Sequence, residues 1–115
     1  MKGIHTAFVD PVDFVFHGDG NDPEGKNPNY AKIVRWADAF FIVTPEYNHS
    51  FPGSLKRLLD SELELYNHKP VAFAGCSNGH WGGIRAIEAL VSTVREMGLV
   101  ASSIDVQFPN VQDLF

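Results

Sequence analysis

Ala39-Phe40-Phe41-Ile42-Val43 is an uninterrupted apolar run. It leads into Thr44-Pro45-Glu46-Tyr47-Asn48-His49-Ser50-Phe51-Pro52-Gly53-Ser54 and then Leu55-Lys56-Arg57-Leu58-Leu59-Asp60. Five apolar residues without alternation predict a strand buried on both faces. Leucines at 55, 58, 59 and 63 predict a helix, opened by Pro52 and reaching about residue 65. The polar loop between them falls at the carboxyl end of the strand. Doubly wound α/β folds place ligands there, because helix N-termini and free backbone N–H groups converge.

Working outward, residues 4–9 read as a strand closed by Asp10-Pro11, with Ile4, Thr6 and Phe8 on one side. Residues 10–28 are rich in Pro, Gly, Asp and Asn, which is loop chemistry, with Phe14-Val15-Phe16 as an apolar anchor and a mobile middle near residues 17–26. Tyr30, Ile33, Val34 and Ala37 predict a helix beginning near Pro28. Downstream, Val71-Ala72-Phe73-Ala74 is a second short strand. A glycine-rich loop follows it, Gly75-Cys76-Ser77-Asn78-Gly79-His80-Trp81-Gly82-Gly83. Ile84, Ile87, Leu90, Val91 and Val94 mark a helix that Gly98 ends, and residues 99–108 return as a strand. Strands alternating with helices at this spacing imply right-handed crossovers and a parallel sheet in one domain, residues 1–115.

Composition narrows the function classes. With 14 acidic against 9 basic residues and a formal charge of -5, there is no basic footprint for nucleic acid or an acidic membrane surface. No apolar run reaches the ~18 residues of a membrane span. One cysteine, Cys76, excludes an internal disulfide and suits a reducing cytoplasm; its place at a strand end reads as core packing. The five histidines show no ligand spacing, so no metal site is expected.

The two loops follow buried strands and precede helices, so they belong at one edge of the sheet. Pro45, Tyr47 and Asn48 from the first and Ser77, Asn78, Gly79, Gly82 and Gly83 from the second suit a flat hydrogen-bonding heteroaromatic ligand. The composition alone would also suit a surface turn. Glu46 reads as a solvated or interface carboxylate, since no partner acid stands beside it. No nucleophile elbow surrounds Ser77.

Thr44-Pro45-Glu46-Tyr47-Asn48, then Pro52-Gly53, Leu55-Lys56 and Asp60, resembles the signature of the NADPH-dependent FMN reductases, a flavodoxin-like family that includes quinone and azo-dye reductases. Ser77-Asn78-Gly79 with Gly82-Gly83, Arg85 and a helix ending at Gly98 resembles that family's second flavin loop. The resemblance implies a flavodoxin-like three-layer α/β/α parallel sheet. It also implies FMN and NAD(P)H as cofactors and a small-molecule electron acceptor such as a quinone or free flavin; a homodimer or homotetramer is expected from an unpaired sheet edge and the leucine-rich helix Leu55 to Leu65, which reads as interface as well as core. It assigns cofactor binding to Pro45, Glu46, Tyr47, Asn48, Ser77, Asn78, Gly79 and Gly82. The cofactor would carry the chemistry, so no catalytic acid or base is required. The family's opening strand and Gly-Ser-x-Arg-x-x-Ser phosphate loop have no counterpart here, and Arg57 replaces the usual Asn. The expected domain is therefore truncated, lacking the first strand and helix, with weak FMN binding or none. An orphaned edge at residues 39–43 would then be covered by the strand at residues 4–9 or by a second chain, unless the sequence is a fragment of a longer protein. The competing expectation is a non-catalytic remnant that serves as an oligomerisation module.

Overall fold

A computed structural model describes residues 3–14 and 26–115. Asn27 opens the first helix, α1 (Pro28–Trp36), by accepting from the N–H groups of Asn29 and Tyr30, both at 3.2 Å. Strand β1 (Phe40–Pro45) follows, then α2 (Gly53–Asp60), β2 (Pro70–Cys76), α3 (Ile84–Glu96) and β3 (Val100–Phe108). Short 3₁₀ turns lie at Pro11–Asp13, Glu64–Tyr66 and Val111–Asp113. The sheet runs β1-β2-β3, all parallel, with Phe40 beside Val71 and Pro45 beside Cys76. β3 bulges at residues 102–104, where Ser102 Oγ accepts from the N–H of Ile104. This is the flavodoxin-like α/β arrangement that the alternation of elements implies.

Both crossovers move the same way across the sheet, so α2 and α3 fall on one face. Val71 and Phe73 of β2 cluster there with Leu58, Leu59, Ile87, Leu90 and Val94, and Phe40 and Ile42 of β1 pack against the cluster. Tyr30 and Val34 bring α1 to the same core, and Tyr66 lies edge-on to Phe40 at 5.5 Å. The expectation of β1 buried on both faces is corrected. Its residues alternate, and Phe41 and Val43 on the far side are 61% and 63% exposed. Val106 and Phe108, in register with Ala74 and Cys76, continue that apolar face. A run without alternation reports residue type, whereas burial depends on what covers each face.

Two further expectations are corrected. Residues 4–9 form no strand: Phe8 is 92% exposed, and among the described residues β1 has no neighbour on its outer edge. An extended segment becomes a strand only when another strand satisfies its N–H and C=O groups. Instead, the 3₁₀ turn capped by Asp10 packs on α2, and Val9 and Phe14 join the core, Phe14 edge-on to Tyr30 at 5.5 Å. The expected partners of that anchor, Val15 and Phe16, lie outside the described residues, as does most of the predicted mobile middle. Helix α2 also stops at Asp60 rather than near residue 65, and at its C-cap the Ser61 hydroxyl donates to the Leu58 carbonyl at 2.7 Å. The chain then turns Tyr66 into the core and leaves Leu63 exposed.

Candidate functional site

Strands β1 and β2 end side by side, and the ladder continues one step into the loops: the N–H of Glu46 donates to the carbonyl of Cys76 at 3.0 Å. The chain then reverses in a two-residue turn. Tyr47 and Ser50 exchange backbone bonds of 2.8 and 3.0 Å, while Asn48 and His49 take φ of +50° and +64°. Positive φ at both central positions is a type I′ turn, tolerated by Asn and, among larger residues, by His. Tyr47 is 62% exposed on this turn, and Phe51 behind it packs on the core. The expected polar loop is thus a rigid hairpin tip.

The second loop leaves β2 through Ser77, whose N–H donates to the Phe108 carbonyl at 3.2 Å. Its next three carbonyls are all taken by the segment after β3. Val111 N–H donates to Ser77 O at 3.0 Å, the Gln112 side-chain amide to Asn78 O at 3.3 Å, and Asn110 N–H to Gly79 O at 3.1 Å. These peptide bonds are trans, so each N–H lies opposite the preceding carbonyl, and those of Asn78, Gly79 and His80 point away from residues 110–112. Three amide donors are thereby left on the loop's other side, beside exposed Trp81.

The glycines divide by role. Gly82 and Gly83 are buried with φ of +57° and +83°; a Cβ on Gly82 would lie 2.7 Å from that of Gln107, and one on Gly83 would lie 2.6 Å from the Cys76 nitrogen. They are bare so that the loop can cross the strand ends and start α3. Gly79 is exposed, and a Cβ there would meet nothing within 4 Å. Packing gives no reason for its bareness.

Glu46 departs most from its sequence reading. Its side chain is only 5% exposed, and Oε1 accepts from Arg85 Nε at 2.7 Å while Oε2 accepts from the Arg85 backbone N–H at 3.3 Å. Of the two alternatives, solvated or interface carboxylate, the solvated one is corrected: the first turn of α3 lies against the β1 tip and encloses it. Arg85 Nη1 reaches His49 Nε2 at 2.7 Å. Among the other expected residues, Pro45 and Ser77 are half-buried at neighbouring strand tips, and Asn48 and Asn78 are exposed on the two turns. His49 and residues 110–112 escaped the sequence reading. Asn110, at φ +48° after Pro109, carried a turn signal but nothing to name its partner.

A flat ring carrying hydrogen-bond acceptors fits this donor set: outward amides, two exposed aromatics and adjoining strand tips. Residues 1–113 match the family model for NADPH-dependent FMN reductase. The chain is 36% identical over 77 residues to an NADPH azoreductase of Bacillus sp. (strain OY1-2), covering 65% of this chain and 42% of that protein. It is 34% identical over 99 residues to a quinone reductase of Escherichia coli (strain K12), covering 72% and 53%. The chain thus spans about half the length of these curated relatives. FerB, a flavoenzyme NAD(P)H:(acceptor) oxidoreductase from Paracoccus denitrificans, superimposes with a TM-score of 0.68 at 25% identity, over 87% of this chain and 59% of its own. From the match across nearly its whole length, the chain belongs to the NADPH-dependent FMN reductase family.

Proposed function

We propose that the chain is the ring-binding half of an FMN-dependent NAD(P)H oxidoreductase that passes electrons to a quinone, free flavin or similar small acceptor in the cytoplasm. The observation that carries this reading is the adjacency of the two loops, joined by the Glu46 N–H bond to Cys76 and by Arg85. Pro45, Tyr47 and Asn48 would hold one side of the isoalloxazine, and Ser77, Asn78 and Gly79 the other. Gly82 would serve from behind, by letting the loop close. When bound, the flavin supplies the hydride chemistry, taking electrons from NAD(P)H and releasing them to the acceptor. The protein's part is to orient the ring and to offer amide donors to its oxygen-bearing edge.

These groups address the ring, so FMN and riboflavin should quench with similar affinities, weaker than micromolar. Fluorescence titration measures both, and NAD(P)H oxidation with a quinone tests turnover. No quenching by either flavin at about 1 mM, where binding would be worth only ~4 kcal/mol, ends the reading.

A second reading, a non-catalytic module that self-associates as a dimer or tetramer, is favoured by the uncovered face carrying Phe41, Val43, Val106 and Phe108. An absorbance scan near about 450 nm, where oxidised flavin absorbs, separates the two.

A further inference from the structure

We infer that Glu46, Arg85 and His49 form a clasp that sets the gap between the two loops, making them positioning residues for the flat ligand. This rests on the flavin reading above. Glu46 is buried and uses both carboxylate oxygens on Arg85, so it has been spent on the protein. Arg85 belongs to α3, which the second loop enters through Gly82 and Gly83. His49 belongs to the first turn and sits at positive φ, a conformation that its surroundings must hold. The guanidinium therefore bonds the start of one loop and its turn to the helix that anchors the other. Because arginine has only donors, His49 Nε2 must accept, which requires the neutral ring with its proton on Nδ1.

The test is a titration of the full chain with FMN and with lumiflavin, across Glu46→Gln, Arg85→Met and the double variant. Each single change should weaken binding by about fivefold to tenfold, and the double variant should be no worse than either, as coupled residues require. Arg85→Lys, which cannot span both partners, should fall between wild type and Arg85→Met. His49→Ala, which removes one partner of the guanidinium, should weaken binding less than Arg85→Met. Because His49 is exposed, that variant keeps the core intact even if a Glu46 variant does not fold. Additive losses, unchanged affinities, or wild-type binding in His49→Ala would overturn the clasp while leaving the flavin reading standing. Failure of the wild type to bind either flavin would overturn both.

Discussion

The hydroxyl of Tyr30 on α1 lies 2.7 Å from that of Tyr66, which closes the 3₁₀ turn after α2. Tyr66 is fully buried and also donates to the Leu59 carbonyl at 3.3 Å, so one pair of hydroxyls ties three elements beneath the sheet. Burial raises both phenols above the ordinary value of 10.0, with the neighbouring phenol and Glu62 adding to the rise at Tyr66.

A phenol whose folded pKa is raised keeps its proton in the native state after the unfolded chain has lost it. Stability from this pair should be complete below about 10 and decline as pH rises above that value, since the unfolded state then binds fewer protons. Denaturant midpoints at pH about 8 and about 10.5 measure the decline. Tyr66→Phe should cost about 1–2 kcal/mol at the lower pH and make the alkaline loss shallower. An equal loss in wild type and variant would contradict the linkage.

Lys69 supports α1 from outside. Its Nζ donates to the Val34 carbonyl at 2.7 Å and to Arg35 O at 3.4 Å, placing a cation at the helix C-terminus. Lys69→Met keeps the apolar stem and removes the charge, so it should destabilise by about 1 kcal/mol. That should appear as a lower denaturant midpoint with an unchanged slope.

The site glycines should separate stability from binding. Gly83→Ala would strain a left-handed residue and press a methyl against the Cys76 backbone, which cannot yield, so a loss of about 3 kcal/mol or more is expected. Gly79→Ala should leave the melting temperature within about 2 °C of wild type, since open space surrounds it. If Gly79 lies against the ring, however, the added methyl should weaken flavin binding severalfold. A Gly79→Ala variant that melts and binds like wild type would remove this residue from the site.

The elements that local sequence could announce were legible. Helix α1 has Pro28 at its start and an apolar stripe, α3 has a stripe ended by Gly98 at φ +83°, and the two loop motifs lie at matched strand tips. Features set by distant partners were not. Residues 4–9 alternate as a strand should but have no neighbour to pair with among the described residues, and Phe41 and Val43 are apolar yet exposed. Glu46 looked like a surface acid because Arg85 stands 39 residues away. Leu63 continued a leucine stripe, yet the helix stops at Asp60 and leaves it exposed.

The uncovered face makes the last prediction. Leu58 and Leu59 of α2 are spent in the chain's own core, so any self-association should use Phe41, Val43, Val106 and Phe108 together with the open edge of β1. Sedimentation velocity of the wild type should show concentration-dependent association. Phe41→Lys combined with Val43→Lys should shift it toward monomer, because a charge on each exposed site opposes burial without entering the core. The variant should also melt lower if the partner's coverage stabilises the fold, as binding to the native state alone requires. A wild-type chain that sediments as a monomer at every concentration and still melts cooperatively would show that the helical side of the sheet suffices.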